Sequence, residues 1–200
     1  MVCLTYGSIV PAGASIALRS APRRRGGYLQ RWRSRPVTTP SYRPAQESDG
    51  PAISALRARA LSSETLPGWS ANAISNLLAK SASQTIRERI QEAAFAHVAL
   101  DRDDIVGFIL CKQPRFINLL IVEPSLQRRG IGSHLMRLML QHLRRAAPDV
   151  SVVEVNATEY SLPFYRRFGF YPLSEFIEFD GCRFARLGYW RRYPLVIKPE

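Results

Sequence analysis

The sequence predicts a mixed α/β fold in which helices flank a central sheet. Residues 94–100 alternate loosely, residues 105–112 are strongly β-forming, and a polar turn separates them, which predicts a hairpin. Two apolar runs, at 117–122 and 150–155, are short and rich in β-branched residues, as is typical of buried strands. Because a helical segment joins these two runs, they are expected to be parallel neighbours.

The region before the hairpin is predicted to be helical. A short edge strand is expected at 41–45, and Ser48-Asp49-Gly50-Pro51 predicts a helix start, since proline suits the first helical turn. Pro67-Gly68 breaks the chain, and Ser70 is a suitable cap for a second helix. Trp69, beside this break, is expected to anchor the core.

A long helix is predicted after the strand at 117–122. Pro124 ends that strand, because proline has no amide to donate to a β-ladder. Two arginines and a Gly-x-Gly pair follow, and apolar residues then recur at helical spacing. The expected buried face of this helix consists of Ile131, Leu135, Leu138, Met139, His142 and Ala146.

The turn between this strand and this helix has the features of an anion site. The first amides of a helix have no internal partner, and the helix dipole favours negative charge there. Gly130 and Gly132 have no Cβ, so a phosphate can approach the backbone. Arg128 and Arg129 are placed to add charge-assisted hydrogen bonds.

Two common phosphate motifs are excluded at this turn. A dinucleotide fingerprint needs a third glycine where Leu135 stands, and a P-loop needs a lysine, of which there is none between Lys112 and Lys198. On glycine spacing alone, an anion site and a plain connection with two solvated arginines are equally good interpretations.

The turn also resembles a family signature, the Gln/Arg-x-x-Gly-x-Gly/Ala motif of the GNAT superfamily of acyl-CoA-dependent N-acetyltransferases. Here it reads Gln127-Arg128-Arg129-Gly130-Ile131-Gly132, and Val122-x-Pro124 stands just before it, as in the family pattern. Downstream, Asn156-Ala157, Phe164-Tyr165 and Phe168-Gly169-Phe170 resemble the family's second motif in the same order. The likeness extends from about Tyr42 to about Leu187, and two ordered motifs are more specific than one Gly-x-Gly.

The resemblance implies a mostly antiparallel sheet in which the parallel strand pair is splayed, with acetyl-CoA as co-substrate. The pantetheine arm would lie between the splayed strands, against the backbone of Ile121 and Val122, and the Val122 amide would polarise the thioester carbonyl. Asn156 would add a side-chain hydrogen bond, although it also suits a turn or cap. The remaining residues expected to bind the coenzyme are Gln127, Arg128, Arg129, Gly130, Ile131, Gly132, Ser133 and Phe164.

The reaction implied is direct attack by a primary amine on the thioester, without a protein nucleophile. Tyr165 matches the tyrosine that the family commonly places near the sulfur, where it would protonate the leaving thiolate; a tyrosine packed on the sheet is the alternative. Asn118 stands where some related families carry an acid, and it cannot act as a base. Glu154 is the first candidate for the base, ahead of Glu123, which equally suits a solvated turn.

Charge is unevenly distributed along the chain. The net charge is +12, but residues 1–46 carry eight arginines and no acid. We expect residues 1–40 to be a disordered basic leader, residues 41–188 the acetyltransferase domain, and residues 189–200 a tail. A transit peptide or an upstream extension also fits the leader.

The remaining features set limits on location and partners. No apolar run approaches the ~20 residues of a membrane-spanning helix, so none is expected. Cys3, Cys111 and Cys182 have neither a disulfide nor a metal pattern, which predicts a reducing, cytoplasmic location and no metal. A non-catalytic acyl-CoA sensor and a nucleic-acid-binding protein using the leader are the alternatives, the second disfavoured because the basic charge lies outside the domain. The acceptor and the oligomeric state, a homodimer included, stay open.

Overall fold

The computed structural model describes residues 2–4, 39–61, 70–79, 81–179 and 182–191. Trp69, predicted to anchor the core, lies outside these residues. The strands are β1 (Val2–Leu4), β2 (Ser41–Pro44), β3 (Phe95–Asp101), β4 (Asp104–Cys111), β5 (Phe116–Ile117), β6 (Leu119–Val122), β7 (Val152–Ala157), β8 (Tyr171–Pro172), β9 (Ile177–Phe179) and β10 (Cys182–Trp190). The helices are α1 (Gly50–Ala60), α2 (Ala71–Ala79), α3 (Ser83–Gln91), α4 (Ile131–Ala146) and α5 (Leu162–Arg167).

The strands form two sheets that separate between β5 and β6. One sheet has the order β1-β6-β4-β3-β2, and all of its pairs are antiparallel. The other has the order β5-β7-β10-β8, in which β5 and β7 are parallel and the remaining pairs are antiparallel. The hairpin of β3 and β4 and the parallel pair of β5 and β7 are the ones that the sequence predicts. This mixed, mostly antiparallel arrangement with flanking helices confirms the predicted fold class.

Asn118 lies where the predicted strand at 117–122 divides into β5 and β6. Before it, β5 pairs with β7; after it, β6 pairs with β4. The Asn118 amide donates a hydrogen bond to the Leu110 carbonyl (2.9 Å), and the Asn118 side-chain oxygen accepts one from the Lys112 amide (2.6 Å). Asn118 therefore binds the chain to β4 at the point where the chain separates from β7. Beyond this point, a gap lies between β6 and β7.

The backbone of β6 presents alternate amides to this gap. The Glu123 amide donates to the Val106 carbonyl at 2.8 Å, on the β4 side. Because amides alternate in direction along an antiparallel strand, the Ile121 amide also faces β4, and those of Leu120 and Val122 face the gap. The coenzyme arm was expected against the backbone of Ile121 and Val122. The Ile121 backbone pairs with β4, whereas the amides of Leu120 and Val122 face the gap.

Strand β1 lies along the edge of β6 that faces the gap. Its three residues pair antiparallel with β6, with Val2 opposite Ile121, Cys3 opposite Leu120 and Leu4 opposite Leu119. The leader was expected to carry no ordered element, so these residues differ from the prediction. Residues 5–38 lie outside the described residues.

Two hydrophobic cores lie on opposite faces of the sheets. Leu120 and Val122 point into the core covered by α4 and α5, whereas Leu119 and Ile121 point into the core covered by α1, α2 and α3. Each side chain of this size stabilises the fold by roughly 1.5–3 kcal/mol when fully buried. Packing on both faces therefore fixes β6 along the gap.

The buried face of α4 is wider than the sequence predicted and is centred differently. Met136, Leu140 and Leu143 are buried, whereas His142 and Ala146, predicted to be buried, are exposed. The helix lies against the sheet, so both the i+3 and the i+4 neighbours of Gly132 and Leu135 reach it. The face predicted from Ile131 overlaps the observed buried face only in part and is displaced around the helix toward His142 and Ala146.

The domain extends beyond the predicted boundary at residue 188. Tyr189 and Trp190 continue β10 and lie opposite Val153 and Val152 of β7. Two residues assigned to the tail are thus part of the sheet. Within the described residues, no helix is long and apolar enough to cross a membrane, and no group of His, Cys, Asp or Glu has the arrangement of a metal site.

Candidate active site

The turn before α4 contains two residues in the left-handed backbone region. Gly130 caps the helix with φ 86°, and Arg128 has φ 64°. A non-glycine residue in this region costs roughly 1–2 kcal/mol. A Cβ added at Gly130 would meet no atom within 4 Å. Glycine is therefore needed at 130 for its conformation, and the space in front of it is open.

The backbone amides that begin α4 point into this open space. The first backbone hydrogen bond of the helix runs from the His134 amide to the Gly130 carbonyl, at 2.9 Å. Among the described residues, none accepts a hydrogen bond from the amides of Ile131, Gly132 or Ser133. These donors, at the positive end of a 16-residue helix, suit an anionic ligand.

A cleft of about 200 Å³ lies in front of these amides, between the turn, the end of β6 and α5. Its lining includes two arginines and no carboxylate, so the cleft is electropositive. The residues lining it are Val122, Leu126, Gln127, Arg128, Gly130, Ile131, Gly132, Ser133, Tyr160, Pro163, Phe164 and Arg167.

Gln127 connects the turn to both neighbouring elements. Its side-chain nitrogen donates to the Val122 carbonyl (3.4 Å), and its side-chain oxygen accepts a hydrogen bond from the Tyr160 hydroxyl (3.2 Å). Both ends of the amide are thus engaged by the protein. The geometry assigns Gln127 to holding the shape of the cleft.

The closed end of the gap, where β5 rejoins β7, carries a charged pair on the face away from α4. Phe116 of β5 is opposite Glu154 of β7, and Asn156 is opposite Arg186 of β10. The Arg186 guanidinium donates to the Asn156 side-chain oxygen at 3.3 Å and lies 3.4 Å from the Glu154 carboxylate. The Arg186 guanidinium also lies over the Phe116 ring, 5.5 Å from its centroid.

Tyr165 lies on the opposite side of the sheet, in the core beneath α4 and α5. Its side chain is fully buried, and its ring packs edge-on against Phe164 at 5.2 Å and Phe170 at 5.3 Å. Val122 and Ala157, from the two strands that border the gap, belong to the same core. Tyr165 is therefore behind the cleft wall that Phe164 forms.

Glu123 has a structural partner. The Arg59 guanidinium of α1 lies 2.7 Å from its carboxylate, which is 4% exposed. The alternative of a solvated turn residue is wrong, because Glu123 is buried and paired with Arg59 of α1. Both acids have an arginine partner, but the Glu154 contact with Arg186 is longer, at 3.4 Å, and the Glu154 side chain is 21% exposed, so Glu154 stays the first candidate for the base.

The sequence matches a protein-family model described as an acetyltransferase (GNAT) domain over residues 64–188. The chain belongs to the GNAT family. It is therefore an acyltransferase. A search of curated proteins found no match.

Solved structures share this GNAT fold. A GCN5-related N-acetyltransferase from Rhodopseudomonas palustris matches 76% of this chain and 96% of its own, with a TM-score of 0.65 and 19% identity. PaiA N-acetyltransferase from Thermoplasma acidophilum, in complex with coenzyme A, matches 75% of this chain and 98% of its own (TM-score 0.59, 14% identity). The ribosomal-protein-S18-alanine N-acetyltransferase from Escherichia coli matches 75% and 92% (TM-score 0.55, 16% identity). At these identities the likeness establishes the fold alone.

The structure brings most of the predicted GNAT coenzyme residues to one cleft. Ile121, Arg129 and Asn156 are not among the residues that line it. Asn156 is on the face away from α4, where it contacts Arg186. The predicted residues that do line the cleft are Val122, Gln127, Arg128, Gly130, Ile131, Gly132, Ser133 and Phe164.

Four lining residues were not predicted. Leu126 follows the strand, and Tyr160, Pro163 and Arg167 come from α5 and the turn before it. Together with Phe164, the last three follow the i, i+3, i+4, i+7 spacing of one helix face. That spacing was the available signal, and it would have identified Arg167 as a second cation at the cleft.

Proposed function

We propose that this GNAT protein transfers an acetyl group from acetyl-CoA to an amine acceptor by direct attack in a ternary complex. The observation that carries the proposal is the set of uncommitted amides of Ile131, Gly132 and Ser133 at an electropositive cleft. A diphosphate has the charge and the acceptor oxygens that such a site requires. Arg128 and Arg167 border the same cleft and would add charge-assisted hydrogen bonds.

The pantetheine arm would run from this cleft along β6 to the closed end of the gap. Val122 lines the cleft, and the amides of Leu120 and Val122 face the gap. The arm contains amide groups, so it would pair with β6 as an added strand does. The thioester would then lie toward the point where β5 rejoins β7.

Two residues would assist the transfer. In the balanced reaction, the amine nitrogen forms a bond to the acetyl carbon, the carbon–sulfur bond breaks, the amine loses one proton and the thiolate gains one. Glu154 would accept the proton of the amine, and Tyr165 would supply a proton to the sulfur. Their positions on opposite faces of the sheet, beside the gap, suit these separate roles.

Thermal denaturation with a non-hydrolysable acetyl-CoA analogue tests the coenzyme site. A native-state ligand at 100 times its Kd stabilises by about 2.7 kcal/mol, so a clear rise in Tm is expected. Arg128→Ala and Arg167→Ala should reduce the rise, whereas Arg144→Ala, which changes an exposed arginine of α4 away from the cleft, should not. Absence of any rise with the unaltered protein would refute the proposed coenzyme.

Release of free thiol from acetyl-CoA, followed across a panel of amines, tests the transfer itself. Glu154→Gln should lower turnover by roughly 10²–10⁴-fold, the usual contribution of a general base. It should retain the thermal shift with the analogue, because Glu154 is not among the residues that line the cleft. Full turnover by Glu154→Gln would remove this residue from the proposed mechanism.

A further inference from the structure

The charged pair of Glu154 and Arg186 lies on the side from which an acceptor would approach. Helices α4 and α5 cover one face of the gap, so access to its closed end is from the other face. On that face the Arg186 side chain is 49% exposed and the Glu154 side chain 21%. Helices α1 to α3 pack over β4 and β6, whereas this pair on β7 and β10 stays in contact with solvent.

Arg186 is held in place by its surroundings. Its guanidinium contacts the Asn156 side-chain oxygen at 3.3 Å and stacks over the Phe116 ring at 5.5 Å. The Arg186 backbone amide donates a hydrogen bond to the Ser174 hydroxyl at 3.0 Å, which holds the strand at this position. An arginine fixed in this way loses little freedom when it binds a carboxylate through its planar fork.

We infer that Arg186 and Glu154 select acceptors that carry a carboxylate beside the reacting amine, as an α-amino acid does. This inference rests on the proposed function. The amine would contact Glu154 and the carboxylate would contact Arg186, so that the acceptor's two charges lie antiparallel to those of the pair. Amine and carboxylate are separated by a single carbon in an α-amino acid, which matches the 3.4 Å separation of the two side chains.

The same arrangement disfavours acceptors without a carboxylate. An amine without a carboxylate would contact Glu154 and would make no hydrogen bond with Arg186. A hydrogen bond to a charged group contributes enough to change binding by roughly 10- to 100-fold. The carboxylate should therefore act mainly on KM, whereas the base and the thioester determine kcat.

The test compares each L-amino acid with its amide and its decarboxylated amine, using the full chain and thiol release as the readout. In the unaltered protein, kcat/KM for the preferred amino acid should exceed that for its amide by about 10-fold or more. Arg186→Gln should bring this ratio close to one, through KM, and Arg186→Lys should restore part of it. Equal use of acid, amide and amine by the unaltered protein would overturn the inference without requiring any variant.

Arg183 provides a matched control on the same strand. Its side chain is 58% exposed, pairs with Glu159 at 2.9 Å and lies 5.1 Å from the Phe176 ring, so these partners differ from those of Arg186. Arg183→Gln should keep the full preference for the carboxylate, and loss of the preference in this variant would contradict the assignment. If no panel member is acetylated, the inference fails, while a thermal shift with the acetyl-CoA analogue would still support the coenzyme site.

Discussion

Strand β1 occupies the edge of β6 that the coenzyme arm would need, so breaking β1 should strengthen coenzyme binding. Cys3 is opposite Leu120, whose amide faces the gap, and such a pair exchanges two backbone hydrogen bonds. At about 0.5–1.5 kcal/mol each, the two bonds contribute about 1–3 kcal/mol. Loss of both bonds should lower the apparent Kd for coenzyme A by about 5- to 150-fold, and loss of the Cys3 donor alone by about 2- to 13-fold.

Cys3→Pro in the full chain is the perturbation, because proline has no amide to donate. Cys3→Ala is the control, since it keeps the amide and should leave the affinity unchanged. Isothermal titration with coenzyme A measures both. An unchanged or weaker affinity in Cys3→Pro would refute the reasoning, because it would mean that β1 and the arm do not compete for the same edge.

Three further predictions concern Gly130, Tyr165 and Asp49. Gly130→Ala should destabilise the protein by roughly 1–2 kcal/mol, because φ is 86° there, and calorimetry should show a lower Tm and a smaller coenzyme shift. Tyr165→Phe should slow turnover and keep the coenzyme-induced thermal shift; unchanged turnover would remove Tyr165 from the mechanism. Burial raises the pKa of Asp49, but hydrogen bonds from Arg43 (2.7 and 2.8 Å) and the Gln46 amide (2.8 Å) outweigh it and lower the pKa overall. The ionised Asp49 carboxylate should therefore add to the free energy of unfolding in full above its unfolded pKa of about 3.9, and this contribution should be lost as pH falls through the folded pKa. In urea titrations at a series of acid pH values, Asp49→Asn should weaken the dependence of the free energy of unfolding on pH.

Local patterns were sufficient to predict the elements and the signature turn. The hairpin, the parallel pair and the helix start at Ile131 follow from periodicity, proline and glycine, which act within a few residues of the chain. Val122 and the cleft residues from Gln127 to Ser133 were predicted together because they lie close in sequence, although Leu126 between them was missed. Arg167 was missed because it reaches the cleft from a separate short helix.

Contacts between residues that are far apart in the chain could not be predicted from the sequence. Arg59 and Glu123 are separated by 64 residues, and Glu154 and Arg186 by 32. Nothing in the local sequence distinguishes these side chains from the other arginines and acids on the surface. Only the strand register and the packing of α1 bring each pair together.

The division of β5 and β6 at Asn118 separates β6 from β7, so the sheet opens at this place once β1 leaves the edge of β6. Coenzyme and acceptor would enter from opposite sides and meet inside it, so neither would need to leave before the other arrives. A compound that joins coenzyme and acceptor covalently would have to pass between β6 and β7 with a linker no wider than one extended chain. For such an inhibitor, bulky substituents at either end should leave the affinity unchanged, whereas bulky substituents on the linker should weaken binding.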